Sequence, residues 1–138
     1  MRKIILTILV VILIVSGAGF TYKYFAGPKI IDGVVSKGID ADGKSVDVTS
    51  VFSPGDTVYF SAKCKKFLAY EAQVVWYKGK IATANRILIE ENIPISSAGY
   101  FTAKLSVPEG LEEGIYNVSI YKAGDDIIQT RTEFEVKK

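Results

Sequence analysis

The chain has 138 residues, 49% hydrophobic and 23% charged: room for one ordinary domain, and too apolar for a disordered segment. It holds no histidine and one cysteine, Cys64, so imidazole bases, imidazole metal sites, intramolecular disulfides and thiolate clusters are excluded. Of the 17 basic residues, Arg2, Lys3 and Lys23 fall in the first 25 positions, where there is no acid, leaving 14 basic against 15 acidic residues in the rest. A body without surplus positive charge cannot neutralise phosphates, so no nucleic-acid partner is expected.

Residues 4–22 form 19 consecutive uncharged positions, and Ile4 to Val15 is almost wholly aliphatic with no polar face. At ~1.5 Å per residue this run reaches about 28 Å, the thickness of a bilayer's hydrocarbon core. Arg2 and Lys3 hold the N-terminus in the cytoplasm, and Phe20, Tyr22, Tyr24 and Phe25 suit the far interface. Two readings fit. In one, residues 1–25 are a signal anchor touching membrane lipid through residues 4–22. In the other, Ser16-Gly17-Ala18 supplies the small residues of a secretory signal cut after Ala18. The first leaves a single-pass membrane protein with its C-terminal domain outside the cytoplasm; the second leaves a secreted domain.

Gly27-Pro28 ends this segment, since proline disfavours helix at the preceding residue, and residues 26–28 read as a linker. Residues 29–136 show short stretches of period two broken by Gly, Pro, Asp and Asn, with 137–138 as a tail. Extended pieces are expected over Lys29–Ile39 and Ser45–Ser50. Thr57–Lys65 follows, placing Val58, Phe60, Ala62 and Cys64 on one face. Tyr70–Tyr77 puts Ala72, Val74 and Trp76 inward. Ile81–Ile93 is extended but irregular and stops at Pro94. Ala98–Val107 groups Phe101, Ala103 and Leu105, and Ile115–Lys122 groups Tyr116, Val118 and Ile120. The last strand, Ile127–Val136, aligns Ile128, Thr130, Thr132, Phe134 and Val136.

Seven or eight short strands, each with one apolar face, pair antiparallel and pack as two sheets. The all-β count and spacing suggest an immunoglobulin-like antiparallel sandwich; a small closed barrel is the alternative. The stretch Phe52-Ser53-Pro54-Gly55-Asp56-Thr57-Val58-Tyr59, the strand carrying Trp76, the run Gly114-Ile115-Tyr116-Asn117-Val118 and the closing Phe134-Glu135-Val136 resemble bacterial and archaeal extracytoplasmic immunoglobulin-like domains, loosely similar to fibronectin type III modules. The resemblance covers residues 29–136. It implies that the Tyr116 hydroxyl bonds to backbone upstream, as a tyrosine corner does, and that Trp76 is core. Cys64 stands where antibody domains have their first bridging cysteine, but with no partner it reads as a small buried apolar residue. The family implies binding, adhesion or spacing and no common chemistry.

Structural core is expected from Trp76, Tyr116, Phe60, Phe101 and Phe134. A candidate binding surface comes from the outward tyrosines. The Tyr59 and Tyr100 strands pair in one sheet and the Tyr77 and Tyr121 strands in the other, with all four rings pointing away from the core. They supply rigid contact area or stack on sugars; the competing reading is cross-strand pairing that steadies each sheet by ~0.2–1 kcal/mol. Asp40-x-Asp42-Gly43 faintly resembles a calcium loop but reads better as a solvated turn. No catalytic motif, metal site or cofactor site is found, and no enzyme is expected. The irregular Ile81–Ile93 stretch, guarded by Asn85, Arg86, Glu90 and Glu91, is the expected sheet edge, through which a protein partner docks or copies associate. The expected role is a membrane-anchored, extracytoplasmic interaction module. A secreted carbohydrate- or ligand-binding domain and a self-assembling structural subunit are the alternatives.

Overall fold

A computed structural model of the chain describes residues 30–64, 71–124 and 126–138. The expected anchor over 1–25, the cleavage point after Ala18 and the linker lie outside the described residues, among which no helix is long and apolar enough to cross a membrane. The fold is all-β, with nine strands among the described residues: β1 Ile30–Ile39, β2 Ser45–Val48, β3 Val51–Phe52, β4 Val58–Cys64, β5 Ala72–Lys78, β6 Arg86–Ile93, β7 Tyr100–Leu105, β8 Gly114–Lys122 and β9 Ile128–Val136. They form a four-stranded sheet in the order β2-β1-β4-β7 and a five-stranded sheet in the order β3-β9-β8-β5-β6. Every pairing is antiparallel except that of β3 with β9. The two-residue β3 was not expected, because two residues carry no readable alternation.

The inner faces of the two sheets interdigitate. Trp76, Phe60, Phe101, Tyr116 and Phe134 all lie in the main buried cluster. Phe134 is its hub: Phe52 and Trp76 meet it edge-on at 5.5 and 6.1 Å, and Tyr116 stacks on it at 5.3 Å. Such aromatic contacts add about 0.5–1.5 kcal/mol each beyond the area they bury. Cys64 is buried in the same cluster.

Two seams join the sheets at their sides. On one side β1 carries a bulge between Ile31 and Val34, with Asp32 at φ 56°. The bulge swings β1 towards β9, where Thr132 Oγ1 donates to Gly33 O at 2.6 Å and Ile30 N donates to Gln129 Oε1 at 3.4 Å. A side chain at position 33 has no room, since a Cβ there would stand 3.0 Å from both the Phe60 ring and Thr130 Cγ2. On the other side β6 and β7, edge strands among the described residues, are bridged by Glu90. Its Oε1 accepts the Trp76 indole N–H and the Lys104 backbone N–H, each at 3.3 Å.

Another bulge alters the expected facing of β9. Ile120 pairs with Thr130 but Tyr121 pairs with Ile128, so Gln129 is an extra residue. An inserted residue flips the side chains beyond it to the opposite face. Ile128, expected in the core with Thr130 and Phe134, therefore lies on the outer face of the sheet, against Tyr121.

Candidate functional site

The four tyrosines of the expected binding surface are not exposed. Tyr77 and Tyr121 do point away from the main core, but they are 1% and 9% exposed. With Val75 they form a second small cluster on the outer face of the five-stranded sheet, covered by Ile81 from the turn after β5 and by Ile128 from the bulge. Their hydroxyls are 3.0 Å apart. Burial raises the Tyr121 pKa above its ordinary value of 10.0; the neighbouring Tyr77 raises it further, while the Ser119 hydroxyl and the charge of Arg86 oppose the shift. Sequence alternation finds which way a ring points, but not that a turn and a bulged residue will close over it.

Tyr59 and Tyr100 lie on the outer face of the four-stranded sheet and are half-buried. They do not face each other: Tyr59 stands opposite Lys104 and Tyr100 opposite Lys63. The β1–β2 hairpin folds across this face. Gly43, at φ 89°, sits against Tyr100 and Thr102, Ser96 Oγ donates to Asp42 O at 2.9 Å, and the Ser45 and Ser61 hydroxyls meet at 2.6 Å. Asp40 Oδ1 accepts the backbone N–H groups of Asp42 and Lys44 at 2.9 and 3.0 Å. The carboxylate is thus engaged by its own turn, the reading preferred over a calcium loop. Among the described residues no group of three or more acidic or sulfur side chains is placed to hold a metal ion.

Three features remain that chemistry could use. The first is the free edge of β6. Ile87, Leu88 and Ile89 are exposed in succession at 45%, 38% and 42%, between Arg86 at one end and Glu91 at the other. The second is Glu90, which lines a cavity of about 400 Å³ with Ile39, Tyr59 and Thr102. Burial lifts its carboxyl above the ordinary value of 4.5, and the bonds from Trp76 and Lys104 together with the Lys104 charge offset part of the rise. The third is an open groove of about 530 Å³ on the outer face of the five-stranded sheet, lined by Lys80, Ile81, Asn117, Arg131 and Glu133. The sequence gives a signal for the first of these, because β6 is the irregular strand. The groove has none, since its residues come from three separated segments and only the register of β8 against β9 brings them together.

Asn117 and Ser119 lie within β8. Asn117 Nδ2 donates to Gly79 O at 2.7 Å, and Ser119 is fully buried. Tyr116 makes the bond its position implies: its hydroxyl donates to Glu112 O at 2.6 Å.

No protein family matches the chain, and no curated protein matches it in sequence. Solved structures with a similar course of chain include the Pseudomonas fluorescens alkylpurine DNA glycosylase AlkC bound to DNA, at 11% identity and a TM-score of 0.47, over 80% of this chain and 30% of that one. The chain thus spans less than a third of that protein. The soluble domain of PmoD from a Methylocystis species gives 11% identity and a TM-score of 0.49, over 78% of this chain and 90% of that one. The NK cell receptor NKp44 gives 17% identity and 0.43, over 64% and 95%. All three fall below a TM-score of 0.5, too distant to carry a function across.

Proposed function

We propose that the protein is an extracytoplasmic, immunoglobulin-like interaction module, held at the membrane by residues 1–25, which docks an extended strand of a membrane neighbour on the free edge of β6. The connectivity supports the immunoglobulin-like reading. β5, β8 and β9 form the centre of one sheet and β1, β4 and β7 run side by side in the other, as strands C, F, G and A, B, E do in that architecture. The central Trp76 and the Tyr116–Glu112 bond agree with it.

The observation that carries the docking mode is the run of exposed Ile87, Leu88 and Ile89 on an edge strand. Edge strands are ordinarily blunted, and an aliphatic one invites a partner's backbone and side chains. The charges at its ends state what the partner offers: an acid facing Arg86, aliphatic residues at the centre and a base facing Glu91. A second copy laid antiparallel across a two-fold axis offers the same order, and this favours self-association as the second reading.

The test is a photo-crosslinking amino acid at position 89 in the full chain, expressed in its own membranes, with position 46 on β2 as control. Crosslinks to another membrane protein from position 89 and not from 46, lost in Leu88→Lys, are the expected result. Crosslinks only between copies, with concentration-dependent sedimentation, establish the dimer instead. Crosslinks equal at both positions overturn the edge-docking mode.

A further inference from the structure

The groove on the five-stranded sheet holds a surplus of cationic hydrogen-bond donors. Lys80 and Arg131 line it, and neither is in an ion pair among the described residues. Arg86, also outside any such ion pair, stands opposite Tyr77 in the β5–β6 ladder and acts by its charge on Tyr121. Facing these cations are two acceptors. Asn117 has its Nδ2 committed to Gly79 O, which leaves its Oδ1 as the polar atom of the amide still to be met. Glu133, cross-strand from Asn117, brings a carboxylate. Ser119, cross-strand from Arg131 on the same face, is fully buried, and its hydroxyl is turned to Tyr121 instead of lining the groove. Ile81 closes one side with an apolar wall.

We propose that this groove binds a hydroxylated carboxylate, in its simplest form a sugar acid, with the acid group on Arg131 and Lys80 and hydroxyls donating to Glu133 and Asn117 Oδ1. The planar fork of an arginine matches a carboxylate in a bidentate way. A simple anion answers only half the site, because it sets a second negative charge against Glu133. A neutral sugar answers the other half and leaves both cations to water. A hydroxylated carboxylate meets both, and its C–H face can lie on Ile81. The groove's volume falls within the ~300–1,000 Å³ of small-ligand sites. The ligand-bearing residues Lys80, Asn117, Arg131 and Glu133 all lie outside β6, so this binding stands or fails independently of strand docking.

The test titrates the full chain in detergent micelles with D-glucuronate, and in parallel with D-glucose, acetate and inorganic phosphate, following backbone amide shifts. Glucuronate is expected to bind saturably, shifting the amides of Asn117 and Arg131, and to bind at least about tenfold more tightly than each comparator. Arg131→Ala and Lys80→Gln are each expected to weaken it roughly tenfold, the value of one charge-assisted contact. Both side chains are exposed, and an unchanged urea midpoint read by Trp76 fluorescence verifies that the variants fold. The proposal is overturned if glucuronate gives no saturable shift, if phosphate or glucose binds as tightly, or if folded Arg131→Ala binds as the parent does.

Discussion

Single hydroxyls and one carboxyl hold much of what is specific about this sandwich. The Tyr77–Tyr121 bond is buried on both sides, so Tyr77→Phe leaves the buried Tyr121 hydroxyl with only the Ser119 hydroxyl beside it. It should cost about 1–3 kcal/mol in urea unfolding, whereas the double variant with Tyr121→Phe should cost less than the two single losses together. Trp76 is the sole tryptophan, so its fluorescence reports the transition directly. Glu90 sets the pH behaviour of its seam. Its folded carboxyl sits above the ordinary value, first through burial, so its ionisation opposes folding. The stability it contributes is full below the ordinary value of 4.5 and is lost as pH rises through the raised folded value. Glu90→Gln keeps an oxygen for Trp76 and Lys104 without the charge. It should therefore be more stable than the parent at pH 7, with the gap closing as pH falls towards 4.5. A parent that outlasts the glutamine variant at pH 7 would show that the charged hydrogen bonds outweigh burial.

At the scale of strands, bulges decide what alternation cannot. The faces of β4, β5, β7 and β8 follow period two, and Phe60, Trp76, Phe101 and Tyr116 are legible as core from the sequence because those strands run straight through their inner-face residues. Phe134 is legible too, since it lies beyond the irregularity in β9. Ile128 is not, because one extra residue, Gln129, inverts it. The burial of Tyr77 and Tyr121 was illegible for the same reason: what covers them is a turn residue and that inverted isoleucine. The half-burial of Tyr100 follows from a hairpin folded back over its own sheet, a tertiary event with no local signature. The bulge in β1 makes its own prediction. Gly33→Ala forces a methyl to 3.0 Å from Phe60 and Thr130, an overpacking that should cost about 1–3 kcal/mol in the same urea titration. On the β6 edge Ile89→Lys should change stability by no more than about 0.5 kcal/mol, because the position is solvent-exposed, while abolishing any strand docked there.

For the molecule as a whole, the membrane reading rests on residues 1–25 and the sandwich on the rest. Whole-cell protease shaving and reporter fusions should find the C-terminal domain outside the cytoplasm. Its retention in the cytosol would remove both the anchor and the secreted alternatives. The bulk of the architecture was legible because short alternating segments with turn residues between them leave few arrangements other than two packed sheets. The groove was not, since cross-strand neighbours in a sandwich are assembled from distant parts of the chain.

The two ends of the described domain lie far apart. Ile30 begins β1 beside Gln129 near the start of β9, and Val136 closes that same strand at its other end. A pull applied through residues on either side would run along the strands, loading the antiparallel ladders of β1 with β4 and β8 with β9 in shear. Bonds perpendicular to the strands then share the tension and must fail together, instead of opening one at a time like a zipper. Tethered at one end and gripped at the other, such a domain would act as a stiff mechanical link.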